Sequence, residues 1–508
     1  MRFGLFVRFG IVSLVLFFGG AQARANHYPK DVLPKIIRED APPSRALFNS
    51  AIRPRFPRVL RVFAQSEVKV LVQQGPLKNR INLTIVGDGY TDVEKEKFFA
   101  DANRTVQELF GATTFKSYLS LFNVFAVFVA SHESGITDLV HKDTALGLYR
   151  DPPGSKRAIM PGNPRAIDAA IGLAPATDFP ILLANDDFYG GLGGAYAITT
   201  RSLESGAMVL RHELGHNFGA VGEEYDAGYV YTGANNSPSH HVSWPQWLSG
   251  PVQGNEAQFL NGAYLWAKMG PEPIHVDFNF PNPSGQGPFH FSTIISGVGW
   301  ATPDDVRILL DGNRVDYRGV FTKDRSFFSL NLNQTLAPGN HRLDFQENIP
   351  GDHVLAFAEL FALAANYDPT PNHIDAYATF YDNGREAGYR PTHDSCLMRD
   401  MRSKEFCAID KENMWSRFLN RISLIDQIAI SPTKDVELKT PNLAGLETAW
   451  FRLNSNGSAT ELPELRNLHQ WHAAQAPLGR YKVMVRFRTS EVRVYTKRFD
   501  AEASFELR

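Results

Sequence analysis

Beyond residue 65, the pattern of apolar and polar positions changes character twice. At first, "EVKVLVQQG" and "RINLTIVGDGY" combine β-branched residues with flanking turn residues and predict two strands. Thr91 and Glu94 form a T-x-x-E capping box. Phe98, Ala102, Val106 and Leu109 then recur on one face of a helix that runs to about Phe110. "FNVFAVFVASHES" and "DFPILLAND" read as buried strands, and strand, helix and strand in this order predict an α/β layer. The glycine-rich "GGLGGAYAITT" predicts a further strand. "SLESGAMVLRHELGHNFG" predicts a helix with Met208, His212 and His216 on one side, and Gly219 is placed to end it in a left-handed turn.

From about residue 273 to 358 the text becomes alternating, with Gly, Pro and Asn turns at short spacing. "HVDFNF", "VRILLDGNRVDYRGVF" and "HRLDFQENI" are examples, and together they predict a small all-β unit. Helical patterning returns at "HVLAFAELFALAANY". The last 80 residues, with "GRYKVMVRFRTSEVRVYTKRF", read again as antiparallel strands. A chain of 508 residues is too long for one ordinary core. The expected division is 66–272 plus 359–426 for the α/β domain, 273–358 for an inserted β domain and 427–508 for a C-terminal β domain.

The N-terminal residues follow another logic. Arg2 and Arg8 precede an apolar run from Ile11 to Phe18, and Ala21, Ala23 and Ala25 follow. A charged start, a short apolar middle and an A-x-A end predict a secretory signal peptide over 1–25 and a secreted or periplasmic protein. Residues 26–65, rich in Pro, Arg and Lys, read as an N-terminal arm or pro-segment. Export also bears on the two cysteines. Cys396 and Cys407 lie eleven residues apart, and an oxidising compartment predicts a disulfide between them. The net charge of −2 gives no global field for nucleic acid or an anionic membrane, so neither is expected as a partner once the signal is removed.

The candidate chemistry lies in "VLRHELGHNFGAVGEEYD". Residues four apart stand one turn above each other on a helix. His212 and His216 can therefore offer two imidazole nitrogens to one zinc ion. Glu213 projects beside that pair and reaches a water on the ion as general base. With 15 histidines in the chain, chance supplies H-E-x-x-H in roughly one such sequence in fifty. Catalytic zinc takes a third protein ligand, and Glu223 or Glu224 can supply it once the chain doubles back after Gly219. Spacing does not choose between them; Glu223 is slightly preferred and Glu224 is the alternate. Tyr225 is a candidate donor to a developing oxyanion.

"LTIVGDGYTDVEKEKFFADANRTVQELF", "TTFKSYLSLFNVFAVFVASHESGI", "RHELGHNFGAVGEEYD" and "GYRPTHDSCLMR" together resemble the IgA-peptidase family of secreted zinc metallopeptidases. The resemblance covers roughly 80–250 and 360–425. It implies one catalytic zinc ion, with His212 and His216 as ligands and Glu213 as the catalytic residue. It also implies that Glu223–Glu224 is the family's acidic element and that Met398 is the methionine of a tight turn beneath the metal. The family's strict metzincin cousins place a third ligand ten residues after the first histidine. Here that residue is Gly222, so their rule does not transfer. Immunoglobulin A as substrate is not carried over, because no feature of this chain selects it.

The expected architecture is thus an α/β (α+β) metzincin-like zinc peptidase domain with an inserted all-β unit and a C-terminal β-sandwich-like domain. The expected activity is that of a secreted zinc endopeptidase on protein or peptide substrates. Two rivals differ in class: a non-catalytic adhesin or glycan-binding protein with a structural zinc, and a zinc hydrolase of non-peptide amides. An intact Glu213 argues against the first, since a structural ion needs no base. The sequence leaves open the substrate, the cleavage preference and the oligomeric state.

Overall fold

The computed structural model describes residues 66–508 apart from 112, 152, 155–156, 227–231, 253–256, 283–288, 333–334 and 382. The signal peptide and the N-terminal arm expected over 1–65 lie outside the described residues. The first sheet has eight strands: β1 (Ser66–Gln73), β2 (Ile81–Asp88), β3 (Phe122–Val129), β4 (Tyr149–Asp151), β5 (Ala158–Met160), β6 (Phe179–Ala184), β7 (Gly191–Leu192) and β8 (Ala197–Thr200). Their order is β1-β3-β2-β6-β8-β7-β5-β4. The central pairs β3–β2, β2–β6 and β6–β8 are parallel, and β1 is antiparallel to β3.

The central strands are buried on both faces, which is why their apolar runs hardly alternate. Leu83 and Ile85 face one core with helix α1 (Lys95–Gly111), while Val86 faces another with α2 (Pro164–Ile171). Helices thus cover both faces of a mixed sheet. The capping box forms as expected, with the Thr91 amide donating to Glu94 Oε2 at 3.0 Å. Helix α3 (Gly206–Gly219), which carries both candidate histidines, packs on the same core as α1 through Leu210, Leu214 and Phe218.

A second eight-stranded sheet contains β9 (Ala257–Lys268), β10 (Ile274–Phe280), β11 (His290–Val298), β12 (Val306–Leu310), β13 (Asn313–Gly319), β14 (Arg325–Asn331), β15 (Gly339–Glu347) and β16 (Val354–Leu363). The boundaries 273 and 358 therefore fall inside a sheet that starts at Ala257 and ends at Leu363. The helix expected over "HVLAFAELFALAANY" is instead strand β16, paired with β11 on one side and β9 on the other. Val354–Ala362 are all buried, and a run this apolar carries no period with which to distinguish strand from helix.

The hairpin β17 (Tyr377–Phe380) and β18 (Glu386–Arg390) leads to helix α4 (Ala408–Leu419). The C-terminal strands form two small sheets. One holds β19 (Gln427–Ile430), β20 (Asp435–Lys439) and β23 (Gln470–His472). The other holds β21 (Leu446–Leu453), β22 (Ala459–Glu461), β24 (Gly479–Phe487) and β25 (Asp500–Leu507). Their core is continuous with that of the first sheet: Trp415 of α4 packs on Phe487 with ring centroids 4.7 Å apart. Among the described residues, no helix is long and apolar enough to cross a membrane.

Candidate active site

Helix α3 is held at three points. At its start, Asp324, from the loop before β14, accepts hydrogen bonds at 2.6 Å from both Ser202 and Ser205. This places a buried carboxylate where the helix dipole favours negative charge. Along its length, the β7–β8 hairpin lies directly on the helix. A Cβ on Gly191 would stand 2.4 Å from Val209 Cγ1, so the glycines permit close approach. This glycine-rich stretch presents no open edge for an extended peptide at β8. Strand β8 is paired on one side with β6 and on the other with β7.

At the C-terminus the helix includes Gly219, and the left-handed residue is Ala220, at φ 48° and ψ 42°. The reversal thus comes one residue later than expected and on a residue that adopts this conformation at a cost of about 1–2 kcal/mol. The bend brings residues 221–224 back past the histidines. No side chain fits at Gly222, since a Cβ would stand 1.9 Å from Asn236 Oδ1.

The two histidines and one glutamate converge. His212 Nε2 lies 3.2 Å from Glu223 Oε2, and His216 Nε2 lies 3.1 Å from Glu223 Oε1. Both histidines face backbone carbonyls through Nδ1: His216 contacts Val221 O at 2.8 Å and His212 contacts Leu397 O at 3.3 Å. A proton on Nδ1 leaves Nε2 as the lone-pair nitrogen. The Tyr225 hydroxyl lies 2.9 Å from His212 Nε2, and its ring stacks on the imidazole. Tyr225 is therefore a residue of the site. Glu213 is half-buried beside the pair. Burial pushes its carboxyl pKa up, against the opposing charges of His212 and His216.

This donor set suits a divalent cation. With Nδ1–H of His216 committed to Val221, Nε2 can face a carboxylate oxygen only with a proton or a cation between them. Burial lowers the His216 pKa, but the Glu223 charge overrides it and holds the imidazole at about 9. Glu223 is held at about 2, with burial opposed by both histidines. Its Oε2 is buried and accepts no hydrogen bond. Metal bonds of about 2.0–2.1 Å at tetrahedral angles place donor atoms about 3.3 Å apart, close to both separations seen here.

Glu224, the alternate ligand, turns away. Its Oε1 accepts from Asn235 Nδ2 at 2.8 Å, and its amide donates to Met398 O at 3.2 Å. Met398 sits in a tight turn, where the amides of Arg399 and Asp400 both donate to Cys396 O. Its sulfur packs on the helix backbone: a Cβ on Gly215 would meet Met398 Sδ at 2.8 Å and Phe406 Cε1 at 2.7 Å. The expected disulfide is absent, and Cys396 and Cys407 are free, buried thiols. The Cys396 thiol instead donates to Asp410 Oδ2 at 3.0 Å. His132, His240 and His393 lie outside the cluster, His132 exposed against Asp143 and His393 bound to the Tyr367 hydroxyl.

Residues 70–248 match the profile of the family described as IgA Peptidase M64. By that match the segment belongs to the IgA peptidase M64 family. The M64 segment contains the first sheet from Val70 onward, helix α3 and residues 221–226, and it stops before the second sheet. The turn at Met398 and helix α4 lie beyond it. The family is one of metallopeptidases, so the protein is assigned to the peptidases, with two residue groups among the described residues that could hold metal. No curated protein matches the chain.

Two asparagines of the site were not anticipated. Asn235 bonds the amide and carbonyl of Gly222 at 2.6 and 3.0 Å, and Asn236 donates to Glu223 O at 3.0 Å. Together they hold the segment that carries Glu223. Asn235 opens an N-x-S pattern that reads as an exposed glycosylation signal, yet it is fully buried. No local pattern marks an amide that recognises backbone thirteen residues away.

Proposed function

We propose that the protein is an exported, zinc-dependent endopeptidase of metzincin-like design, with His212, His216 and Glu223 holding the ion and Met398 forming the turn beneath it. One observation carries this reading. Both imidazole Nε2 atoms face the two oxygens of one carboxylate, and Glu213 stands beside them outside that trio. When bound, zinc would polarise the scissile carbonyl and acidify the attacking water. Glu213 takes the proton of that water and delivers it to the leaving amine. Burial raises its pKa, the direction that suits a group which must both accept and give a proton. The Tyr225 hydroxyl leaves His212 and donates to the oxyanion. The carbonyls of Val221 and Leu397 keep both imidazoles oriented throughout.

The test is digestion of casein by the purified protein. Cleavage stops with a chelator and returns with zinc, and His212→Ala neither cleaves nor retains the ion. Stoichiometric zinc at this site in His212→Ala would refute the ligand assignment.

Metal binding should also release a proton. In the metal-free site His216 titrates at about 9, so it is protonated at pH 7, and a ligand imidazole must give that proton up. Apparent zinc affinity therefore rises with pH and levels off above about 9. Calorimetry at pH 7 in buffers of different ionisation enthalpy should count about one proton released per ion at this site. Zero protons would mean that His216 is neutral before the metal arrives.

A further inference from the structure

Beneath the turn that carries Met398 lies a second cluster that the peptidase reading does not use. One donor atom from each of Glu224, Cys396, Cys407 and Asp410 lies within 4.8 Å of every other, and all four residues are buried. Cys396, Glu224 and Asp410 are 0% exposed and Cys407 is 2% exposed, so water does not solvate these groups. Two of the oxygens are orphans: Glu224 Oε2 and Asp410 Oδ1 are buried and accept no hydrogen bond of normal geometry. Neither carboxyl forms a salt bridge among the described residues. Two buried carboxyls that each leave an oxygen unsatisfied are costly to a fold.

The sulfurs carry an independent sign. Cys396 Sγ accepts backbone amides from both Met398 and Cys407 at 3.4 Å. Two N–H donors aimed at one sulfur offset part of the burial that holds this thiol neutral, and the thiolate is the form that binds metal. Cys407 is itself the N-cap residue of helix α4, where the helix dipole favours an anion. A disulfide would use both sulfurs and remove the thiol that now donates to Asp410, leaving the carboxyls still less satisfied.

We propose that Cys396, Cys407, Asp410 and Glu224 form a closed site for one divalent ion of the zinc class. Two thiolates and two carboxylates make a four-ligand set with no open position, which suits a structural ion. Bonds of about 2.3 Å to sulfur and 2.0–2.2 Å to oxygen put tetrahedral S···O and S···S edges at about 3.5 and 3.8 Å. The 3.0 Å contact between Cys396 and Asp410 and the 4.8 Å limit of the group bracket those values. On binding, each thiol loses its proton to solvent, each carboxyl binds as the anion, and no electron moves. Glu224 directly follows Glu223, so the ion ties the segment bearing the catalytic-site carboxylate to the Cys396–Asp400 turn and to α4. The two adjacent glutamates thereby serve two different ions. The site shares no residue with the His212–His216–Glu223 group and stands apart from the peptidase reading.

The experiment uses the full chain, purified under reducing conditions and loaded with cobalt as the probe. The wild type should show sulfur-to-cobalt charge-transfer absorption, which the histidine site cannot produce. The band should persist in His212→Ala and disappear in Cys407→Ser. Elemental analysis should find one ion per chain in a His212→Ala/His216→Ala double variant. Should Cys407→Ser fail to fold, the isosteric Glu224→Gln keeps the band but weakens cobalt binding at least tenfold. The proposal is overturned if the reduced wild type shows no thiolate band. It is equally overturned if mass spectrometry of the exported protein finds Cys396 bonded to Cys407. Loss of casein cleavage with the band intact strikes only at the peptidase reading.

Discussion

Glu213→Gln lowers kcat by about 10²–10⁴-fold while the metal content stays that of the wild type. Gln keeps the shape and the polarity of the side chain but cannot accept a proton. Only the transfer from water and its return to the amine are lost, and these act in the transition state. The loss should therefore fall on kcat and on kcat/KM alike, with KM little changed. Stability should move the other way. Burial raises the folded-state pKa of Glu213, so ionising it in the folded protein works against the fold. That penalty is absent at low pH and grows as pH rises through the unfolded and then the folded pKa. The metal-free Gln variant should accordingly melt no lower than the wild type at pH 7, with the two converging as pH falls. A variant that loses both activity and stability would make Glu213 a packing residue and sink its role as base.

The parts of the site that the sequence made legible are those encoded within one turn of helix. His212, Glu213 and His216 depend only on the repeat of α3, and the capping box at Thr91 depends on three residues. What stayed hidden was set by distant partners. Spacing could not tell which of Glu223 and Glu224 faces the histidines, because Glu224 is turned away by Asn235, which takes its carboxylate, and by Met398, whose carbonyl takes its amide. The end of α3 moved from Gly219 to Ala220 because packing fixed the bend; a Cβ on Gly219 would already stand 3.0 Å from Val221 Cγ1. Strand β16 read as a helix because it is buried between two other strands and has no polar face. The disulfide expectation rested on compartment and spacing. It missed Asp410, which arrives on α4 and gives the Cys396 thiol an acceptor.

Arg399→Met should cost about 3–5 kcal/mol of stability, the usual range for leaving a buried charge without its partner. Arg399 follows Met398 directly, and its guanidinium is enclosed by three carboxylates. Nη1 lies 3.0 Å from Glu359 Oε2, Nη2 lies 3.0 Å from Asp226 Oδ2, and Nε lies 3.4 Å from Asp394 Oδ1. Glu359 belongs to β16 of the second sheet and Asp226 follows the site residue Tyr225, so one side chain joins the inserted sheet to both walls of the site. Even with Arg399 present, burial and Asp226 hold Glu359 at about 7. Without it, the Glu359 carboxyl shifts further toward the neutral form in the folded state. A carboxyl whose folded pKa lies above its unfolded value destabilises the fold increasingly as pH rises through that interval. The deficit of the variant should therefore be largest above pH 7 and should shrink as pH falls toward 5. Denaturant titrations of both proteins across that range would show it. A deficit independent of pH would mean that Arg399 acts through packing on Phe361 and not as the shared counter-ion of the three acids.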